Sequence, residues 1–388
     1  MKVLTITGTR PELIRLSVIL QKLDKVCEHV HVYTNQNSDP NLSTLFFDQL
    51  KIRNPDYTLH PVSKTDDYPD GVKLARSVPA IGDFLGHGFS EMARILTIEK
   101  PDKVLVLGDT NSGLMSIIAS KMGIPVYHME AGNRCYDGAV PEETNRKVID
   151  ACSYMNMPYT EGSKTNLINE GFHKNLIFKT GNPIQEVLNH YRVEIAGSDI
   201  LQKLGLAPDC GGAYSVFALL SFHRTENVDT KSVAVSVMKA MEIVGAKMKV
   251  IFPLHPRTKD QFKKHGIEIP KNVICIDPIG FFDFVKLEQY AEVVFTDSGT
   301  VPEETSLFGK HCIVLRNTTE RQELMDTGSL ILAGTKTRDI LTAFNQISNL
   351  KQIWMLPDDY TKLNVSDTVI RILLGQNVSI RRKGHDEY

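Results

Sequence analysis

Short β-branched runs alternate with helical stretches along almost the whole chain, and few folds accept that alternation. Residues 3–7, 30–34, 104–107, 125–128 and 177–179 read as strands of one parallel sheet. Residues 214–220, 249–252, 273–276, 293–296 and 312–315 read as strands of a second. The runs are nearly continuous in apolar residues, so each strand must be covered on both faces, and the intervening helices supply the cover. The expectation is an α/β protein of two Rossmann-like, doubly wound domains facing each other across a central cleft.

A length of 388 residues suits two such domains. The boundary is placed after Thr180-Gly181-Asn182-Pro183, giving domains 1–183 and 184–364. Asp209-Cys210-Gly211-Gly212 reads as a turn before the first strand of the second half. A last helix begins near residue 365 and runs into a charged tail at 381–388.

The net charge of −2 gives no support to a nucleic-acid partner. No apolar run reaches the roughly 18 residues of a membrane span. Gly8 breaks the N-terminal apolar run too early for a signal peptide. Six scattered cysteines without a CxxC pair read as reduced thiols, which places the protein in the cytoplasm. His29-Val30-His31 reads as part of a strand rather than a metal ligand set, and no metal is expected.

The most specific chemistry lies in Asp297-Ser298-Gly299-Thr300-Val301-Pro302-Glu303-Glu304, which follows the apolar run Val293-Val294-Phe295. Pro302 suits the first turn of a helix, so a Ser298-Gly299 turn would lie between a strand end and helical amides. Such a turn binds anions, typically phosphate. Glu304, one turn on, is placed to accept hydrogen bonds from a ribose. Thr318-Thr319-Glu320-Arg321 adds a second polar loop with a cation. Together these parts suggest a nucleotide-sugar diphosphate site.

In the first half the strand ends carry charge. Gly8-Thr9-Arg10-Pro11-Glu12 follows the first strand and places Arg10 and Arg15 at the sheet's carboxyl edge. It is not a GxGxxG turn, so no dinucleotide is implied. Asp109 follows the strand at 104–107, Glu130 the strand at 125–128, and Glu142 opens a helix in Val140-Pro141-Glu142-Glu143. Carboxylates converging at one sheet edge can divide acid and base roles between them. In the second half Ser221-Phe222-His223-Arg224 and Pro253-Leu254-His255-Pro256 end strands in the same way. Phe281, Phe282 and Phe284 form an aromatic group, one of which can lie against a nucleobase.

In this order, GTRPE, GDTNS, HMEAGNRC, PEETNRK, SFHRTEN, HPRT, DSGTVPEE and TTERQE resemble the non-hydrolysing UDP-N-acetylglucosamine 2-epimerase family over essentially the whole chain. The resemblance implies the GT-B architecture, with the last helix, about 365–388, returning to the first domain. It implies a homodimer acting on a UDP-sugar without metal or nicotinamide cofactor. A base removes the sugar C2 proton, UDP leaves C1 to give a glycal, and UDP adds back after reprotonation from the opposite face. By motif position Asp109, Glu130 and Glu142 are the acid and base candidates, with His223 near the phosphates. Arg10, Arg15, Arg134, His255, Ser298, Gly299, Glu304 and Arg321 match substrate contacts, and Phe284 the base-packing aromatic. Arg15 stands where the family usually has lysine, a fork in place of a point charge. Gly299-Thr300 and Gln322 also depart from the family's usual Gly-Gly and proline. Tyr33-Thr34-Asn35-Gln36-Asn37 lacks the glutamine-rich motif of a regulatory UDP-GlcNAc site. HMEAGNRCYD and DSGTVPEE resemble the capsule and O-antigen branch, some of whose members epimerise 6-deoxy UDP-sugars. The alternatives are a 6-deoxy substrate, a GT-B glycosyltransferase, a hydrolysing epimerase and a catalytically silent sugar-nucleotide sensor.

Overall fold

The computed structural model describes residues 1–36, 40–59, 77–208, 212–347, 349–350 and 353–375. Asn37, most of the expected turn at 209–212 and the charged tail lie outside the described residues. The chain forms two compact units, Met1–Val187 with Lys362–Tyr388, and Leu188–Thr361.

The first unit holds a six-stranded sheet in the order β3-β2-β1-β4-β5-β6. Its strands are β1 (Lys2–Thr7), β2 (Glu28–Tyr33), β3 (Tyr57–Thr58), β4 (Lys103–Leu107), β5 (Val126–Met129) and β6 (Met155–Met157). All neighbours are parallel. The chain winds outward from β1 through β2 and β3, then returns to β4 on the other side of β1, with Leu4 opposite Val104. Side chains of β1 alternate between faces, and Val3, Leu4 and Ile6 are all buried because helices cover both. The helix Arg10–Val26 follows β1 and buries Leu13, Leu16, Leu20 and Leu23, a helical 3–4–3 spacing that makes one apolar stripe. On its outer side Lys22 Nζ bonds Ser366 Oγ (2.8 Å) and Asp367 Oδ1 (2.6 Å) of the helix Val365–Gly375.

The second unit repeats the plan with β7 (Phe217–Ser221), β8 (Lys249–Pro253), β9 (Val273–Ile276), β10 (Val293–Thr296), β11 (His311–Val314) and β12 (Leu330–Leu332). The order is β12-β11-β10-β7-β8-β9, all parallel. Phe217 and Leu219 pack with Ile251 and Val294 in one apolar cluster. Ala218 and Leu220 pack with Val250, Phe252, Val293 and Phe295 in another, so one strand feeds a core on each face. Each of the larger of these side chains, Val, Leu, Ile or Phe, contributes about 1.5–3 kcal/mol on burial.

Two strand expectations need correction, and three short strands had none. Residues 177–179 form only an isolated bridge, Ile177 to Asn156. The sixth strand of the first sheet is β6, whose three residues centre on a polar Asn156 and carry little apolar signal. β3 and β12, of two and three residues, are too short for periodicity to show. β7 starts at Phe217 rather than 214, because Tyr214 and Val216 are exposed. Among the described residues no helix is long and apolar enough to cross a membrane, and no group of His, Cys, Asp or Glu could hold a metal. His29 and His31 instead hydrogen-bond Thr5 and Thr7 of β1.

Candidate active site

In both sheets the strand order reverses at one point, between β1 and β4 and between β7 and β10. Ligands of doubly wound sheets bind at the carboxyl ends of the strands at that point. The residues after these four strands, Gly8, Gly108, Phe222 and Asp297, begin the motifs singled out above.

At the end of β1 the chain must pass very close to its neighbours. A Cβ on Gly8 would stand 1.9 Å from Ser112 Oγ and 2.2 Å from Thr34 Oγ1, so no larger residue fits. The turn is tied by Glu12, which accepts from the Gly8 and Thr9 amides (both 2.7 Å) and from Thr110 Oγ1 (2.7 Å). Thr9 and Glu12 form a capping box, the reciprocal bonds that start this helix. Burial, only partly offset by those bonds, raises the Glu12 carboxyl from its ordinary range to about 7. Its folded pKa therefore lies above the unfolded value, and the stability it contributes is lost as pH rises through about 7. Glu12→Gln, which cannot ionise, should lose less stability than the parent between about pH 5 and pH 8. Chemical denaturation across that range checks this, and parallel curves for the two proteins would contradict it.

Arg10 is half-buried with its guanidinium 5.7 Å from the centre of the Phe46 ring. Arg15 is buried, lies 5.9 Å from the Tyr159 ring centre, and donates to Glu130 Oε2 at 2.7 Å. Asn133 Nδ2 holds the other oxygen of Glu130 at 3.2 Å, and Ser163 Oγ in turn donates to Asn133 Oδ1 at 2.7 Å. Glu130 has a φ of 65°, a left-handed backbone that costs a non-glycine residue about 1–3 kcal/mol and collects at functional sites. The carboxylate is thus held at the end of β5 by fixed donors despite the strain. It lies beside the end of β4, where a Cβ on Gly108 would meet Glu130 Oε2 at 3.4 Å.

Asp109, the next residue, pairs with Arg146 Nη2 at 2.5 Å. Arg146 also donates to Glu143 Oε2 at 3.0 Å. Asn145 Nδ2 reaches the Asp109 carbonyl and Asn111 Oδ1, both at 3.0 Å. All three helix residues lie on Pro141–Cys152, so that helix is fastened to the end of β4. Glu142 opens the same helix half-buried, one turn before Arg146. Its neighbour Glu143 is the more buried and accepts from the Cys135 amide at 3.0 Å. Burial works to raise Glu143, but the Cys135 bonds and Arg146 outweigh it and hold the carboxyl below its ordinary value.

Arg134 departs from the expected substrate contact. It is buried, with Nη2 on Asp150 (2.7 Å), Nε on Glu170 (2.7 Å) and Nη1 on the Asn133 carbonyl (2.7 Å). Asp150 also bonds His128 Nδ1 at 2.8 Å, while His128 Nε2 meets the Gly108 carbonyl at 2.9 Å. Arg134 and His128 brace the loops that carry Glu130 and Asp109 from behind.

In the second unit Asp297, fully buried after β10, accepts from the amides of His223 (3.1 Å) and Arg224 (2.9 Å) and from Asn227 Nδ2 (3.1 Å). One carboxylate thereby shapes the turn that presents His223. The His223 and His255 rings lie 5.9 Å apart, and His255 caps its helix by accepting from the Arg257 amide at 3.3 Å. Ser298 Oγ accepts from the Thr300 amide at 3.2 Å. A Cβ on Gly299 would stand 2.4 Å from Glu320 Oε1, so a larger residue here would have to displace that carboxylate. Glu320 pairs with Arg316 at 2.9 Å. Arg321 is buried against Glu303, and Glu304 is buried one residue later. Phe284 is half-buried in the apolar cluster that includes Val301.

Comparison with known proteins finds relatives that match nearly the whole chain. The family model for UDP-N-acetylglucosamine 2-epimerase matches residues 21–374. The chain belongs to the UDP-N-acetylglucosamine 2-epimerase family. The enzyme of that name from Methanocaldococcus jannaschii is 35% identical over 390 residues, covering 96% of this chain and 99% of the relative. The crystal structure of the M. jannaschii UDP-GlcNAc 2-epimerase in complex with UDP-GlcNAc and UDP has a TM-score of 0.86 at 33% identity. It covers 97% of this chain and 100% of that one. The UDP-2,3-diacetamido-2,3-dideoxy-D-glucuronate 2-epimerase of Pseudomonas aeruginosa is also 35% identical, over 347 residues, covering 88% and 90%. The two-sheet α/β architecture is therefore that of the epimerase family, and the chain is an isomerase by kinship.

Within this epimerase frame, sequence reasoning passed over several residues. Glu12 carried a legible signal, the Thr9-x-x-Glu12 capping spacing. Asp297 opens the DSGT motif and Arg146 closes PEETNR, yet neither reads as a support without its distant partner. Glu288 carries no sequence signal beyond being acidic on a helix.

Proposed function

We propose that the chain epimerises C2 of a UDP-N-acetylhexosamine, converting UDP-GlcNAc to UDP-ManNAc without releasing free sugar. The observation that carries this reading is the pinning of Glu130 and Asp109 by buried arginines at adjacent strand ends. A 2-epimerase needs proton-transfer groups for both faces of C2, and a simple sugar-nucleotide binder needs none. One carboxylate takes the C2 proton; the C–H electron pair becomes the C1–C2 double bond, and the C1–O bond breaks with its electrons leaving on UDP. The product is 2-acetamidoglucal. A protonated acid then delivers a proton to C2 from the other face while a UDP oxygen closes on C1.

Asp109, Glu130 and Glu142 supply the proton-transfer groups in this reading. Arg15 and Arg146 hold the carboxylates of Glu130 and Asp109 in place at 2.7 and 2.5 Å. In the second unit Ser298, Gly299, His223 and His255 meet the pyrophosphate, Glu304 the ribose and Phe284 the base, with Arg321 holding the Glu303–Glu304 helix start. Arg10 adds positive charge for the leaving UDP. The protein works in the cytoplasm as a homodimer, and sedimentation checks the assembly.

The Pseudomonas relative is named for a 2,3-diacetamido uronate. That sugar shares UDP and the 2-acetamido group with UDP-GlcNAc and differs at C3 and C6. The reaction at C2 is the common part, so substrate choice is read at C3 and C6. Incubation with UDP-GlcNAc, a 6-deoxy UDP-HexNAc and the diacetamido uronate, followed by product NMR, tests the proposal. The expected result is an intact UDP-sugar inverted at C2. Free ManNAc with UDP would support a hydrolysing enzyme, and turnover only with an added acceptor a glycosyltransferase.

A further inference from the structure

Glu288 stands apart from the residues discussed so far. It lies on the helix Phe281–Tyr290, is fully buried, and neither of its carboxyl oxygens has a hydrogen-bond donor. A carboxylate in such a place would be a bare buried charge, which proteins avoid by keeping the proton. A protonated carboxyl needs an acceptor, and the group that bears on Glu288 is the Glu304 carboxylate. Glu304 stands on the neighbouring helix Val301–Leu307, which begins at the Ser298-Gly299 turn.

The other charged groups around this helix are engaged elsewhere. Ser198 bonds Asp283, Lys286 reaches the Ala196 carbonyl, and Lys203 acts on Asp283. The titratable groups that face Glu288 are Glu304 and, from β11, the Cys312 thiol, which burial pushes up to about 12.

We propose that Glu288 is a positioning residue of the nucleotide site: as a neutral acid it donates its one O–H to Glu304 and fixes that carboxylate to receive the ribose of UDP. The inference rests on the assignment of Glu304 to the ribose made above. It also explains why two acidic side chains share a buried place: one proton turns mutual repulsion into a hydrogen bond. Burial first, and the Glu304 charge second, hold the Glu288 carboxyl well above the ordinary carboxylate range. Its proton is therefore held to higher pH than that of an ordinary carboxyl and is lost as pH rises through that raised value. Loss of the proton sets two buried negative charges side by side next to an anionic ligand. UDP affinity should then fall toward alkaline pH.

The test is UDP affinity by calorimetry as a function of pH, for the parent, Glu288→Gln, Glu288→Leu and Glu304→Ala, and for Glu288→Leu combined with Glu304→Ala. Leucine keeps the volume and removes the donor, and should cost roughly tenfold in affinity, the scale of one charged hydrogen bond. Glutamine restores a donor that cannot ionise. It should recover most of that loss and flatten the alkaline fall. Adding Glu288→Leu to Glu304→Ala should cost nothing further. Parent-like affinity in Glu304→Ala would sink the ribose assignment itself. A weakened Glu304→Ala beside parent-like Glu288 variants and an unchanged pH profile would overturn the present inference alone. So would an equal loss from Glu288→Leu in both backgrounds. If the leucine variant fails to fold, the glutamine pH profile still decides.

Discussion

Glu130→Gln should lower turnover by roughly 10²–10⁴-fold and leave UDP affinity close to that of the parent. Glutamine keeps the shape and can still accept from Arg15 Nη1, so the strained turn at the end of β5 keeps its support. What disappears is the capacity to take or give a proton. Because proton transfer occurs only on the way to and from the glycal, the loss falls on the transition state rather than on ground-state binding. Asp109→Asn and Glu142→Gln should show the same division. A variant whose carboxylate acts only when the glycal is reprotonated should still release UDP and glycal, which separates the two halves of the reaction. Single-turnover assays with calorimetry for UDP make the comparison. Near-parent turnover in all three variants, with circular dichroism unchanged, would leave these carboxylates as structural and restore the glycosyltransferase reading.

Arg134→Ala should destabilise the first unit by about 3–5 kcal/mol, the usual cost of removing one partner of a buried ion pair. The loss leaves Asp150, which is fully buried, with His128 and the Gly132 amide but no arginine. Glu170→Gln removes the other carboxylate, whose side chain is 31% exposed, and should cost far less. Urea denaturation of both variants checks the contrast. A direct substrate contact would give the opposite pattern, a loss of substrate affinity at unchanged stability.

The frame of the molecule was legible because parallel strands buried on both faces leave a continuous apolar signature, as in 293–296 and 249–252. β6 escaped because three residues with a central Asn156 carry no such signature. The strand-end motifs were legible for the same reason that makes them useful: a polar cluster following a buried strand stands out. Their supports were not. Asp109 is 37 residues from Arg146, and Arg134 is 16 from Asp150 and 36 from Glu170. No local pattern relates such partners. Arg134 illustrates the difficulty, since an arginine after a strand end looks the same whether it faces a ligand or the interior. Glu288 illustrates the converse, an acidic residue on an ordinary helix whose role appears only when Glu304 is found beside it.

The central claim is that the C2 proton leaves and returns through groups of the enzyme that exchange with water. Incubation with UDP-GlcNAc in D2O, without added nicotinamide cofactor and followed by proton NMR, tests it most directly. The account predicts UDP-ManNAc carrying deuterium at C2, with deuterium also entering C2 of the recovered substrate. Epimerised product that keeps its original hydrogen in D2O would contradict it.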